Sequence, residues 1–214
     1  MSGPIIHIVD DDNSFRTAVT RLLRAANYEI RTYASAAEFI EAAPGTTPGC
    51  VLLDLRMPQT SGFDVQQWLA KRAEPLPIVF LTGHGDIPAS VQAMKGGAVD
   101  FLTKPVKRET LLRAIQNALA RDETERKSRT LLRELRNRYE YLTPREREVL
   151  AHVIAGKLNK QIAFDLGTTE RTIKAHRASL MNKLAVQSVA ELTRMARDLG
   201  IEPARQLAHR NQNL

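Results

Sequence analysis

The sequence predicts two domains of different class: an α/β domain of (βα)5 pattern over residues 1–121 and an all-α domain over residues 142–200, joined by a helical linker at 122–141. Short apolar runs alternate five times with stretches of helical period in the first part, and beyond residue 121 the strand pattern stops. Charge separates at the same place. Residues 1–121 hold 13 Lys/Arg against 12 Asp/Glu, whereas residues 122–214 hold 18 against 12, which makes the second part a candidate for a polyanionic partner such as nucleic acid. The 214 residues have the length of one large domain or two ordinary ones, and the 43% hydrophobic content excludes disorder along the whole chain. A single cysteine, Cys50, excludes a disulfide scaffold. No apolar run approaches the roughly 18 residues of a membrane span, and the start Met1-Ser2-Gly3-Pro4 lacks the basic and apolar parts of a signal peptide. A soluble, unprocessed, cytoplasmic protein with no membrane partner is expected.

Taken in order, residues 5–9, 29–33, 50–53, 78–81 and 99–102 read as strands, and the stretches at 13–26, 35–43, 62–73, 87–96 and 107–120 read as helices. In the first helix Phe15, Val19, Leu22 and Leu23 share one stripe. This alternation implies a mostly parallel sheet with helices on both faces and right-handed crossovers. Ligands then gather at the carboxyl ends of the strands. Residues 121–142 contain no Gly or Pro, many charges, and Leu131, Leu135, Tyr139 and Leu142 at helical intervals. They form either a lone solvated helix or one that pairs with a second copy. From 142 to 200 the pattern is helical throughout, with breaks at Gly156, at Gly167-Thr168-Thr169 and near 185–188. The polar tail 201–214 is expected to fray.

Asp10, Asp11 and Asp12 follow the first strand, Asp54 follows the third, Thr82 ends the fourth, and Lys104-Pro105 follows the fifth, so all fall on one rim. Each alone has an ordinary explanation as a helix cap, a strand end or a solvated charge, and Asp12 is expected to be a cap. Gathered carboxylates without a partner would repel and raise one another's pKa, so the group needs a cation. Hard oxygen donors on two loops suit Mg2+, and Lys104 adds a second positive charge. A carboxylate beside a metal and an ammonium can attack phosphorus to give an aspartyl phosphate. Asp54 is the expected nucleophile, standing before the open loop Leu55-Arg56-Met57-Pro58-Gln59-Thr60-Ser61-Gly62, and Thr82 is placed to hydrogen-bond the new phosphoryl group.

On these residues the first domain resembles the receiver domain of two-component response regulators. Val9-Asp10-Asp11 is similar to that family's Mg2+-holding acidic pair, Asp54-Leu55-Arg56-Met57-Pro58 to its phosphoacceptor loop, Thr82-Gly83 to its switch threonine, and Phe101-Leu102-Thr103-Lys104-Pro105 to its switch aromatic and lysine. The resemblance implies a flavodoxin-like fold, a metal ligand set of Asp10, Asp11, Asp54 and the backbone carbonyl of Arg56, and a cis bond between Lys104 and Pro105. Gly83-His84-Gly85-Asp86 resembles the FixJ subgroup, and His84 is expected to be an exposed loop residue.

In the second domain, residues 159–166 form one amphipathic helix, Gly167-Thr168-Thr169 a turn, and residues 170–184 a second helix, which is helix-turn-helix spacing. Ile162, Ala163, Leu166, Ile173, His176 and Leu180 are expected to face inward, leaving Thr172, Lys174, Ala175, Arg177 and Ala178 nearer the outside. Cations there can meet phosphates, while the small Ala175 and Ala178 can touch thymine methyls in a major groove. Lys160 is expected at a phosphate. An αα-hairpin with a solvated basic face would carry the same charge. Thr143, Pro144 and Glu146 form an N-terminal capping signature. With the helix pair, this stretch resembles the LuxR-type (NarL/FixJ-type) DNA-binding domain over 142–200, departing at Ala178, where some relatives carry a basic base-reading residue. The resemblance implies DNA contacts from Lys160, Thr169, Thr172, Lys174, Ala175, Arg177 and Ala178. It also implies pairing of two copies through the last helix near 188–199, with Ala190, Leu192, Met195 and Leu199 in the contact.

The expected function follows from both resemblances. A sensor histidine kinase phosphorylates Asp54, Thr82 is drawn inward, Phe101 rotates, and a homodimer forms through a face that includes Val91 and Lys95. The dimer binds double-stranded promoter DNA, with RNA polymerase a further candidate partner and activation the expected direction, although the sequence itself does not separate activation from repression. A non-enzyme is expected. A metal-dependent phosphohydrolase lacks its general acid here, since Asp54 is followed by Leu55-Arg56. A scaffold pairing through 121–142 leaves the helix-turn-helix unexplained.

Overall fold

The computed structural model describes residues 3–44, 47–83 and 87–204. Strands β1 (Ile5–Val9), β2 (Glu29–Tyr33), β3 (Gly49–Asp54), β4 (Ile78–Thr82) and β5 (Asp100–Thr103) pair in parallel in the order β2-β1-β3-β4-β5. β1, β3 and β4 lie inside the sheet and every one of their residues is buried. Covered on both faces, they read as nearly continuous apolar runs, interrupted in β1 by His7, rather than as alternation.

Helices α1 (Asn13–Ala25), α2 (Ala36–Ala42), α3 (Gly62–Ala70), α4 (Ile87–Lys95) and α5 (Arg108–Glu140) follow the strands in turn. On one face Val9, Leu53 and Phe80 pack with Phe39 of α2, Val65 and Leu69 of α3, and Ala93 of α4. On the other, Ile8, Leu52 and Leu81 meet Val19 and Leu23 of α1 and Leu111, Ile115 and Ala118 of α5. α1 begins where the Asp12 carboxylate accepts from the amides of Ser14 and Phe15, the cap its position predicts. Strand order reverses between β1 and β3, so a crevice opens at their carboxyl ends.

Two elements differ from the sequence reading. Helix 107–120 and the linker are one continuous helix, α5, because nothing between 121 and 140 breaks it. The chain divides into two compact units inside that helix, between Lys127 and Ser128. In the second unit α6 (Pro144–Ile154), α7 (Asn159–Asp165), α8 (Glu170–Leu184) and α9 (Val189–Asp198) enclose a core of Leu150, Val153, Ile162, Ile173, Leu180 and Leu192. Leu135 and Tyr139 of α5 pack against it. The tail is tied down as far as Ala204, whose amide donates to the Ala151 carbonyl, while Ile201 joins the core; the rest of the tail, 205–214, lies outside the described residues. No helix among the described residues is long and apolar enough to cross a membrane.

Candidate functional site

The register Val9↔Leu53 sets the ends of β1 and β3 side by side. Asp10, 1% exposed, and Asp54, 7% exposed at the tip of β3, therefore converge, and exposed Asp11 stands over them. One carboxylate oxygen from each lies within 4.8 Å of the others. Lys104, just past β5, donates to Oδ2 of Asp10 at 2.5 Å and to Oδ2 of Asp54 at 2.7 Å. The remaining oxygens are also held: Asp10 Oδ1 accepts from the Asp12 amide at 3.0 Å, and Asp54 Oδ1 from the Arg56 amide at 3.1 Å. Burial pushes the Asp10 pKa up, although its hydrogen bond from Lys104 opposes this. For Lys104, burial works against the charge, but the hydrogen bonds to Asp10 and Asp54 outweigh it and hold its pKa above the ordinary lysine value. The ammonium stays charged at neutral pH. Three carboxylates and one ammonium leave a net negative pocket of hard oxygen donors, the donor set a Mg2+ ion takes.

Thr82 is fully buried at the tip of β4, one residue beyond the Asp54↔Leu81 pair. The Lys104 amide donates to the Thr82 carbonyl at 2.8 Å, and the Lys104–Pro105 bond is cis. Phe101 is half-buried, its ring 6.2 Å from that of Phe80. Val91 and Lys95 are exposed on α4, which packs on β5. His84, Gly85 and Asp86 lie outside the described residues.

Close approach under β3 requires glycine at 62. A Cβ there would stand 2.5 Å from the Asp54 carbonyl oxygen and 2.9 Å from the Phe80 ring. The sequence reading missed two contributors on α1: Arg16 Nη1 donates to the Asp10 carbonyl at 2.6 Å, and the Phe15 ring lies 4.2 Å from the Lys104 ammonium. Phe15 shows in the sequence only as one member of an apolar stripe, which carries no sign of the lysine.

In the second unit Gly167, with φ of 61°, makes the turn between α7 and α8. Thr169 caps α8, accepting from the Thr172 amide. Lys160, Lys174, Ala175 and Ala178 are exposed. Thr172 and Arg177 are half-buried, and Arg177 Nη1 is held 2.6 Å from Asn159 Oδ1. Ile162, Ala163, Ile173 and Leu180 are buried, and Leu166 and His176 half-buried. Glu146 does more than close its capping box with Thr143: it accepts from Ser179 Oγ at 2.6 Å and Lys183 Nζ at 2.7 Å, pinning α8 to the start of α6. The expected pairing residues Leu192 and Met195 are a correction. Both are buried in their own domain's core, so neither offers a surface to a second copy; Val189, Ala190, Glu191, Arg194, Arg197 and Asp198 are the exposed residues of that helix.

Comparison with known proteins matches residues 6–116 to the response regulator receiver domain and residues 140–196 to the bacterial regulatory proteins of the luxR family. The response regulator protein TmoT of Ectopseudomonas mendocina is 43% identical over 195 residues, spanning 91% of this chain and 89% of its own. The transcriptional regulatory protein FixJ of Bradyrhizobium diazoefficiens is 38% identical over 196 residues, 92% of this chain and 96% of its own. The solved structure of the response regulator StyR aligns with a TM-score of 0.79 at 42% identity, covering 92% of this chain and 99% of that one.

Proposed function

This chain belongs to the response regulators that join a receiver domain to a LuxR-family DNA-binding domain, and it is a transcriptional regulator of the two-component type; from that premise we propose that it is switched by phosphoryl transfer from a histidine kinase to Asp54. The matched segments 6–116 and 140–196 support a receiver over 1–121, a linker over 122–141 and a DNA-binding domain over 142–200.

The observation that carries the reading is the position of Lys104 between Asp10 and Asp54. Asp10, Asp11, Asp54 and the Arg56 carbonyl would hold Mg2+, which when bound neutralises charge on the phosphoryl oxygens. An Asp54 carboxylate oxygen attacks phosphorus, the bond from phosphorus to the donor's imidazole nitrogen breaks, and the imidazole leaves. Lys104, already hydrogen-bonded to Asp54, transfers that bond to a phosphoryl oxygen and stabilises the charge that develops there. The Thr82 hydroxyl then turns toward the phosphoryl group, and Phe101 fills the space it leaves beside Phe80. Exposed Val91 and Lys95 border this region and join the face on which two copies pair.

In the output domain Lys160 and Lys174 meet phosphates, Thr169, Thr172 and Arg177 flank them, and Ala175 and Ala178 let α8 approach the groove floor. The protein acts in the cytoplasm by binding rather than by turnover. Activation of transcription through RNA polymerase is the direction we favour.

The deciding experiment is labelling by acetyl phosphate in the presence of Mg2+. The wild-type chain takes up one phosphoryl group and Asp54→Asn takes up none. Persistent labelling of the variant would remove Asp54 from the nucleophile role.

A further inference from the structure

At the opposite end of β3 from Asp54, the part of α5 beyond residue 121 is tied into the receiver by a polar network that the phosphorylation chemistry does not use. Asp122 is 1% exposed, and its Oδ2 accepts from the Gly49 amide at 3.0 Å and from Arg126 Nε at 2.7 Å. Arg126 extends the network, with Nη1 3.0 Å from Glu74 Oε2 and Nη2 3.1 Å from the Thr47 carbonyl. One turn earlier, Arg121 Nη1 donates to the Gly97 carbonyl at 3.1 Å, in the turn between α4 and β5.

Apolar packing does not account for this attachment. The buried apolar residues of α5 within the receiver end at Ala118. Beyond it a cavity of about 250 Å3, floored by Leu69, Leu76 and Ile78, has Arg121 and Glu125 on its wall. Over this stretch the helix is held by charge and hydrogen bonds. A buried carboxylate costs desolvation, and Asp122 Oδ1 has no hydrogen-bond partner among the described residues, so Asp122 is an expensive way to secure a helix that could have ended with its apolar seam. What it provides is direction: the bonds fix the helix to the first residue of the strand whose last residue is Asp54, and to the turn that leads into Phe101.

We propose that Asp122 and Arg126 are positioning residues that latch the linker part of α5 to the start of β3, so that a change at Asp54 reaches the DNA-binding domain through that helix. The proposal rests on the phosphorylation reading above. The latch lies wholly within the first unit, while Leu135 and Tyr139 of the same helix pack against the core of the second. A helix gripped at 121–126 carries a shift of its anchor along its length, whereas one attached only as far as Ala118 would absorb the shift by fraying.

The test is hydrogen exchange on the full chain with Mg2+, with and without beryllofluoride as the phosphoryl mimic, for wild type, Arg126→Ala and Arg126→Lys. Wild type is expected to change protection both in the receiver segments 78–83 and 87–103 and in the segments 128–140 and 142–200. Arg126→Ala is expected to keep the receiver response and lose the response beyond 128. Arg126→Lys, which keeps the charge but cannot span Asp122, Glu74 and the Thr47 carbonyl together, is expected to show a partial loss and serves as the readout should Arg126→Ala fail to fold. A full response beyond 128 in a variant whose receiver still responds overturns the latch. A wild-type response confined to the receiver also overturns it. If the wild-type receiver itself does not respond, the phosphorylation reading fails, and the latch, having nothing to transmit, falls with it.

Discussion

The ammonium of Lys104 stands 2.7 Å from Oδ2 of Asp54 while its second hydrogen bond goes to Asp10. In the proposed transfer, this one cation orients the acceptor carboxylate and occupies the place where charge develops. Lys104→Met removes that cation while keeping a side chain of comparable length. Loss of one preorganised charge of this kind costs about 100-fold in rate, so the initial rate of labelling by acetyl phosphate is expected to fall by about that factor. Mg2+ affinity, followed by calorimetry, is expected to rise because the two carboxylates no longer share a competing ammonium. An unchanged labelling rate would mean that Lys104 only tidies the resting pocket.

Gly62 faces the same strand from below. Its amide donates to the Leu55 carbonyl at 2.9 Å, and an added methyl would stand 2.5 Å from the Asp54 carbonyl oxygen. Neither backbone group can yield cheaply. Gly62→Ala is expected to destabilise the receiver by about 1–3 kcal/mol, the usual cost of overpacking. A lower urea midpoint at unchanged slope would register it. Slower labelling of Asp54 should accompany the loss, because the displaced atoms belong to the proposed acceptor residue itself.

How much of this was legible in the sequence depends on the range of the interactions. The interior strands are legible because a parallel strand covered on both faces is an apolar run, and the rim residues because chain order alone puts whatever follows a strand at the carboxyl edge. The Asp12 cap is legible because capping is local. Asp122 and Arg126 look like ordinary solvated charges, since their partners Gly49, Glu74 and Thr47 are dozens of residues away. Glu146 reads as a capping residue for the same reason, its contacts with Ser179 and Lys183 being invisible locally. In α9 the apolar spacing marks a buried face without saying what buries it. A domain this small takes Leu192 and Met195 for its own core.

His7, in the middle of β1, is buried, with Nδ1 3.0 Å from the Tyr33 hydroxyl and its ring packed against Tyr33 and Phe39. Burial, reinforced by the positive charge of Arg31, pushes its pKa from 6.5 down to about 4. The unfolded chain therefore binds a proton that the folded chain refuses between those values. Stability is full above about pH 6.5 and declines as pH falls toward 4, by about 3 kcal/mol from this residue. His7→Leu forfeits the hydrogen bond to Tyr33 but removes the titration. Urea unfolding of both proteins at pH 7 and pH 4.5 should show the stability gap narrowing or reversing in acid. A constant gap would mean that the histidine protonates without disturbing the core.

Glu146 sets a second acid limit, in the other domain. Burial works against its charge, but hydrogen bonds from Lys183, Ser179 and Thr143 outweigh it and bring the pKa from 4.5 down to about 2. Here the folded state favours the carboxylate, so the contribution is present above pH 4.5 and is lost as pH falls through the folded value near 2. Because Lys183 is 36% exposed, solvent screening trims its share. Glu146→Gln, which keeps the shape and loses the charge, is expected to cost about 2 kcal/mol at neutral pH. Hydrogen exchange of peptides from 142–200 should show that cost shrinking toward pH 2, and an equal cost at both pH values would assign it to shape rather than charge.

Two basic residues of α8 in the proposed DNA contact are held differently, and this separates their expected effects. Lys174 is 66% exposed, with only a loose 3.5 Å pairing to Glu170, so its charge is available to a phosphate. Arg177 is half-buried and held by Asn159. Neutralising one phosphate contributes about 0.9 to the slope of log affinity against log salt. Lys174→Ala should therefore weaken DNA binding and flatten that slope by about one. Glu170→Gln should strengthen binding, because the same lysine loses its competing carboxylate. Arg177→Ala is expected to lower affinity with a smaller change of slope, since what it removes first is the bond that steadies α8 against α7. Fluorescence anisotropy on one bound fragment across 50–200 mM salt resolves all three, and an unchanged slope in Lys174→Ala would take that residue out of the interface.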